Sequence, residues 1–295
     1  VTTSARKRVV TITGATSGIG LALAEALLAH DVSVIGTGHS SECIAAARQQ
    51  LAAAFPGRQL AMLNADLSLQ AEVRRLADGI AVQLRSWGYQ ALDGLVNNAA
   101  TVPYWQTLTA EGFDMQWAVN HLAPFLLTWQ LLPLIEASPC GRIVTISSGS
   151  HYAGKLHWDD IQLLRRYQPL TAYNQSKLAN VLFTAELKRR LGTASRVLVF
   201  AADPGLVDTS IGAKSNARLA ERVWSFRRRS GISSQQAAAG LLPLLLDPAP
   251  AETDQVYWKH GHPQKPSRLA LDPDSGWRLW ELSARMCGVE GRRQA

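Results

Sequence analysis

Cysteine is scarce. Three residues of 295, Cys43, Cys140 and Cys287, stand far apart and are odd in number, so neither a disulfide framework nor a zinc cluster is indicated. Long hydrophobic runs are expected to be missing too: no charge-poor apolar stretch is read as reaching the ~18 residues that a membrane span requires. Basic residues near the start, Arg6-Lys7-Arg8, have no signal-peptide core behind them. A soluble, cytoplasmic protein is the expectation. No internal repeat or low-complexity linker divides the chain. A prior of roughly 150 residues per domain would allow two domains, yet residues 1–295 read as one.

The formal net charge of +7 invites a nucleic-acid reading. Against it, the positive residues are dispersed except at Arg227-Arg228-Arg229, and aromatics do not interleave with them as a stacking platform would require. Nucleic acid is disfavoured. An anionic small molecule, or a merely solvated basic surface, accounts for the charge.

What is present is an alternation. Residues 8–13 are a β-branched run ending in Thr13-Gly14-Ala15-Thr16-Ser17-Gly18-Ile19-Gly20, after which Leu21, Leu23, Ala24, Leu27 and Leu28 follow helical spacing. Strand, glycine turn and helix are predicted. Glycines there let backbone approach a pyrophosphate, and the helix start presents free N–H groups and a positive dipole end; a tight turn without a ligand is the alternative. Further strands are predicted at 32–37, 59–63, 92–96, 142–148, 197–201 and 255–258. Helices are predicted over 41–54, from the turn at 64–68 toward Trp87, and over 111–137 with a kink at Pro124. Another opens at Ser233-Ser234-Gln235-Gln236 with a capping-box pattern. This order predicts an α/β doubly wound parallel sheet.

In Tyr173-Asn174-Gln175-Ser176-Lys177 the tyrosine and lysine fall one helical turn apart on the same face. A phenol ionises only near pH ~10 in water, and a cation beside it favours the phenolate. A solvated Tyr/Lys pair is the alternative.

The loop at 13–20 departs from Gly-x-Gly-x-x-Gly and resembles the T-G-x-x-x-G-x-G cofactor loop of the short-chain dehydrogenase/reductase family. Asn97-Asn98-Ala99-Ala100 resembles that family's N-N-A-G, with alanine replacing glycine, and Pro204-Gly205 its P-G turn. Twenty-four residues separate Ser148 from Tyr173. That long spacing, the run 176–183 and the tail 267–283 resemble the retinol-dehydrogenase-like branch, and the resemblance spans about residues 7–287.

The resemblance implies a Rossmann-type sheet of about seven strands and an NADP(H)-dependent oxidoreductase moving a hydride to or from a hydrophobic carbonyl or alcohol. Gly14, Thr16, Ser17, Gly18, Ile19 and Gly20 would form the cofactor loop. Asp66 and Leu67 would meet the adenine, although Asp66 also reads as a turn or N-cap residue. Asn97, Ala99, Pro204, Gly205, Val207 and Thr209 would complete the cofactor site, with Tyr173 and Lys177. No acid stands at the end of the second strand to hold the 2′-hydroxyl of NAD; Gly38-His39 does. NADP(H) is therefore preferred over NAD(H), with His39 and Ser40 as candidate phosphate contacts; a surface histidine is the alternative.

The catalytic set so implied is Ser148, Tyr173, Lys177 and Asn120, the last bending its helix and ordering a water in a proton relay; tying down a neighbouring backbone is its structural alternative. His121 reads as structural. His151 and His157 show no zinc-site spacing, and no metal is expected. Residues 210–232 are read as a substrate flap, with membrane-surface contact the less favoured reading, and 288–295 as a flexible tail. Trp105, Trp158, Trp224 and Trp258 are candidates for an apolar cleft. A homodimer or homotetramer is compatible with the family. The rival functions are a catalytically silent NADP-binding scaffold and an epimerase or dehydratase on the same fold.

Overall fold

Short strands buried on both faces are what a parallel sheet covered by helices demands, and the strands at 9–12, 33–38, 94–97 and 142–146 have that character. The computed structural model describes residues 7–207, 231–248 and 253–289. Eight strands, β1 (Val9–Ile12), β2 (Ser33–Gly38), β3 (Leu60–Asn64), β4 (Gly94–Asn97), β5 (Arg142–Ile146), β6 (Leu198–Asp203), β7 (Tyr257–Lys259) and β8 (His262–Pro263), form one sheet in the order β3-β2-β1-β4-β5-β6-β7-β8. The first seven are parallel, and β8 is an antiparallel addition to the expected seven. It arises because His260 and Gly261 both adopt positive φ, the geometry of a two-residue hairpin turn.

Eight helices flank the sheet among the described residues: α1 (Gly18–Ala29), α2 (Ser41–Ala54), α3 (Gln70–Ser86), α4 (Met115–Trp117), α5 (Ala123–Glu136), α6 (Pro169–Leu191), α7 (Ser234–Leu246) and α8 (Pro273–Met286). Alternate strand residues supply two cores. Val9, Ile35 and Leu95 pack beneath α3, α5, α6 and α8. Val10, Val34 and Val96 pack beneath α1, α2 and α7. The strand order reverses between β1 and β4, so a crevice opens outside their carboxyl ends, where open α/β sheets bind ligands.

The helix predicted over 111–137 starts later, and its irregular turn precedes Pro124. Asp114 caps it by accepting the Trp117 N–H at 2.9 Å, and Ala118–Leu122 winds as a π-helix. There the Ala123 N–H reaches back to the Ala118 carbonyl, five residues away. Pro124, which lacks an N–H, stands in the first turn of α5, so the widened turn precedes the proline. The continuous helical run Met115–Glu136 also corrects the reading of apolar stretches. By length and composition it could cross a membrane, but 72% of its apolar window is buried inside the fold.

The carboxyl-terminal helix is fastened to α6. Glu186 pairs with Arg189 and with Arg190, Arg190 reaches Glu281 at 3.0 Å, and its guanidinium lies 4.5 Å over the Trp280 ring. Trp280 packs edge-on to Phe125. Beyond α8, Val289 is buried and its N–H is bonded to the Ala284 carbonyl, so the first residues of the expected flexible tail are packed; 290–295 lie outside the described residues. So do Thr209 and most of the expected flap. Val207 and Ile232, on either side of it, form a parallel bridge.

Candidate active site

The glycine loop is built by close approach. Gly14 has φ +68, a conformation side chains resist, and a Cβ on Gly20 would stand 2.2 Å from the Gly14 carbonyl oxygen and 2.7 Å from Asn98 Nδ2. Thr13 and Asn98, to which the sequence pattern assigns no role, lock this loop to the end of β4. Thr13 Oγ1 accepts the N–H groups of Asn98 and Ala99 at 2.9 and 3.0 Å. Asn98 Nδ2 donates to the Thr13 carbonyl at 2.8 Å. Ser17 occupies the N-cap of α1 without a side-chain cap bond, and no acid stands in the first turn. The helix start therefore keeps N–H groups for an anion.

A cavity of about 420 Å³ follows from this arrangement. Its walls are Gly14 with Thr16, Ser17, Gly18 and Ile19 from the loop, Gly38 and His39 after β2, Asp66 and Leu67 after β3, and Ala99 after β4. The predicted cofactor residues of four separate strand ends are thus brought together. Asp66 fills both of its readings, lining the cavity while its Oδ1 accepts the Ser68 N–H at 2.9 Å. Ala100 is tolerated because no positive φ is required of it. Met115 and Val119 also line it.

Other candidates do not line this cavity. Ser40 caps α2, accepting the Cys43 N–H and donating to Glu42 Oε2 at 2.6 Å, and does not line the cavity. Asn97 is buried and donates to Thr128 Oγ1 at 3.0 Å and Thr145 Oγ1 at 3.5 Å, so it braces β4 against α5 and β5. Gly205, at φ +89, donates its N–H to Asp203 Oδ1 at 2.8 Å; Pro204, Gly205 and Val207 lie outside the cavity wall. Trp258 belongs to the core against Phe200, and Trp158 lies beneath the Arg278 guanidinium. Trp105 is 72% exposed, and Trp224 is outside the described residues.

At the carboxyl end of β5, Ser148 is half-buried and caps a 3-10 turn, Gly149–Ala153, accepting the Ser150 N–H at 3.2 Å. Tyr173 and Lys177 sit one turn apart on α6, as predicted, with the Lys177 Nζ 5.5 Å from the phenol ring centre. Lys177 is buried and donates to the Ile146 carbonyl at 3.1 Å. Burial draws its pKa down from 10.5 to about 8, while the Asp203 carboxylate works in the opposite direction. Ser147 Oγ donates to the Lys177 carbonyl at 2.8 Å, which pins this turn of α6 to β5.

Asn120 lies in the π-turn, and its side chain ties down a neighbouring backbone. Its Oδ1 accepts the Thr101 N–H at 2.8 Å, and its Nδ2 donates to the Thr101 carbonyl at 2.9 Å and to Ser176 Oγ at 3.3 Å. The amide is occupied by backbone and by α6. His121 is buried on the Trp117 ring with Nε2 2.8 Å from Ser283 Oγ, its pKa lowered by burial to about 4, which agrees with a structural role.

A family model described as short chain dehydrogenase matches residues 8–220. The chain belongs to this family. This short-chain dehydrogenase is 32% identical to retinol dehydrogenase 13 of Homo sapiens, over 96% of its own length and 85% of the relative's. It is 31% identical to retinol dehydrogenase 14 of Mus musculus, over 96% and 86%, and is placed by these likenesses in the retinol-dehydrogenase-like branch. Among solved structures, an uncharacterized protein from Mycobacterium paratuberculosis matches with a TM-score of 0.70 at 31% identity, covering 96% of this chain and 94% of that one. A blue fluorescent protein from a metagenomic library, in complex with NADPH, matches with a TM-score of 0.63 at 24% identity, covering 85% and 95%; that likeness is one of fold. The short-chain dehydrogenase is an NAD(P)-dependent oxidoreductase acting on a small molecule.

Proposed function

We propose that the protein interconverts a hydrophobic alcohol and its carbonyl compound, preferring NADP(H), with Tyr173 as general acid and base. One observation carries this reading: a buried, desolvated Lys177 beside the Tyr173 ring, bonded to the last carbonyl of β5. The chain's own donors suit a dinucleotide. The uncapped start of α1 offers N–H groups to phosphates, and Asp66 and Leu67 stand in the same cavity wall. No acid stands at His39, where one would favour the unphosphorylated ribose, which supports NADP(H). Ser40 contributes nothing to that preference while it is bonded to Glu42.

The nicotinamide, when bound, supplies the hydride. In the reductive direction Ser148 donates a hydrogen bond to the carbonyl oxygen as charge develops on it, and Tyr173 delivers the proton there. Lys177, held by the Ile146 carbonyl, stabilises the phenolate left behind. In oxidation Tyr173 takes the alcohol proton. Asn120, its amide held in place by Thr101 and Ser176, is the residue that would order a relay water beside Lys177 in this scheme.

An apolar substrate is supported by exposed side chains near these groups in the chain. Leu170 stands three residues before Tyr173, Leu206 follows Gly205, and Trp105 and Leu164 lie on two loops tied by Gln106 Nε2 to the Leu163 carbonyl at 3.1 Å. The relatives' names point to long apolar alcohols of the retinol kind. The test is loss or gain of reduced-nicotinamide absorbance with a panel of retinoid, steroid and long-chain alcohols and carbonyls, with each cofactor. Turnover with NADP(H) is expected. Tight NADPH binding without turnover of any member would instead favour a silent scaffold, and substrate conversion with no net cofactor change an epimerase or dehydratase.

A further inference from the structure

Outside the proposed catalytic set, His151 is a buried side chain bonded at both of its ring nitrogens. It is fully enclosed and lies in the 3-10 turn that Ser148 begins. Its backbone N–H donates to the Ser148 carbonyl at 3.0 Å, and its ring Nδ1 lies 2.8 Å from the same oxygen. From the far side, the Ser267 N–H donates to Nε2 at 3.1 Å. A backbone N–H can only donate, so Nε2 must carry the lone pair. A carbonyl can only accept, so Nδ1 must carry the proton. Two backbone groups 119 residues apart in sequence therefore select one tautomer of one ring.

Two aromatic rings also pack against the imidazole. Tyr152 and Tyr257 have ring centres 4.0 and 4.6 Å from it. Tyr257 donates to Asp203 Oδ2 at 3.0 Å, and Asp203 Oδ1 holds the Gly205 N–H. Tyr152 in turn donates to the Lys265 carbonyl at 2.6 Å. The serine turn, the Pro204-Gly205 turn and the segment 265–267 leading to α8 are thus joined through one imidazole.

We propose that His151 is a positioning residue for Ser148, fixed as the neutral Nδ1–H tautomer, and that it makes the placement of the serine depend on the docked segment around Ser267. The proposal rests on the reading of Ser148 as the donor to the substrate oxygen. Other turns bearing a serine could be held by backbone alone; this one receives a second bond on its carbonyl from a side chain that does nothing else but accept from Ser267. Protonation would set an imidazolium N–H against the Ser267 N–H and break the strap. Burial holds the ring pKa below the usual histidine range, opposed by the Ser148 carbonyl and by Asp203, so the strap survives at neutral pH and fails only in acid. The other titratable or charged groups on the elements around it are Tyr152 on its own turn, Tyr257 and Lys259 on β7, Tyr173 and Lys177 on α6 with Glu186, Lys188, Arg189 and Arg190 toward its far end, and Lys265 and Arg268 beside Ser267.

The experiment uses the full chain, its His151→Phe and His151→Asn variants, NADPH, and an alcohol or carbonyl that the unmodified protein turns over. His151→Phe fills the space between the tyrosines without donor or acceptor. It is expected to lower kcat by about tenfold to a hundredfold, the scale of a small misplacement of a reacting group. KM for NADPH should stay within about twofold, because the ring lies outside the cofactor cavity. His151→Asn, whose amide can donate to the Ser148 carbonyl, restores much of that kcat and lacks the acid limb that the unmodified enzyme shows below the ordinary histidine range. Nitrogen-15 spectra of the His151 ring report the Nδ1–H tautomer, and hydrogen exchange at the Ser267 amide quickens in His151→Phe; neither readout needs activity. An Nε2–H tautomer overturns the proposal. So does an active His151→Phe enzyme with unchanged kcat and an unchanged pH profile. If the unmodified protein turns over nothing, the proposed function falls, while the ring spectra and amide exchange still decide the strap. If His151→Phe does not fold, the tautomer and the His151→Asn profile decide.

Discussion

A lysine buried among apolar strands and helices pays for its place in desolvation, and at Lys177 the consequence is measurable. Its folded pKa of about 8 lies below 10.5, so between those values the unfolded chain binds more proton and stability of the cofactor-free protein rises with pH. Below pH 8 the amine is charged in both states and the penalty is fully present, about 3 kcal/mol at ~1.36 kcal/mol per pKa unit. Lys177→Met should therefore flatten that rise, stabilise the cofactor-free fold at neutral pH and abolish turnover. Urea titrations at pH 7 and pH 10 test this, and equal slopes for both proteins would refute it. Tyr173→Phe is expected to lower kcat by about 10²–10⁴, the range for a general acid or base, with NADPH affinity preserved in a fluorescence titration. A loss confined to NADPH binding would contradict the assigned role.

Individual elements were visible in the sequence to different degrees. The helix over 41–54 appears with the predicted bounds, because apolar spacing and a serine N-cap are local signals. The helix predicted over 111–137 does not, because it begins only after the Asp114 cap and its irregular turn is the five-residue π-turn before Pro124, which no apolar period marks. In the glycine loop the pattern itself showed where backbone must approach backbone. Gly20→Ala would drive a Cβ into the Gly14 carbonyl, and NADPH affinity is expected to fall by about tenfold or more, at least ~1.4 kcal/mol. Calorimetric titration checks this, and affinity equal to that of the unmodified protein would mean the loop can relax without cost to the site.

At the scale of the whole molecule, the last helix completes the core. Trp280 lies among Phe125, Phe183 and the Arg190 guanidinium, joining α8 to both α5 and α6. Removing it leaves a cavity and an unpaired face on the α6 arginines, so Trp280→Ala should cost about 3–5 kcal/mol in chemical denaturation. Well below its melting temperature it should leave KM for NADPH little changed, since the cofactor cavity is lined from β1 to β4 and from the helix start at Met115 and Val119. The same integration explains why an apolar run long enough to span a bilayer lies instead within the fold. Its faces are taken by α3, β4, β5 and α6.

The sequence by itself determined the alternation of strands and helices, the glycine loop at 13–20 and the one-turn spacing of Tyr173 and Lys177. Each is a local property: a residue period, a φ only glycine adopts readily, a helical rise. Only the tertiary structure decided which polar group takes which partner. It sent Asn97 into the core and Asn98 to the glycine loop, spent the Asn120 amide on Thr101, withdrew Ser40 from the cavity, and brought Ser267 to His151. A buried donor or acceptor must be satisfied by whatever the fold places within hydrogen-bond reach, and for these residues the partner comes from a distant segment whose approach no local pattern records.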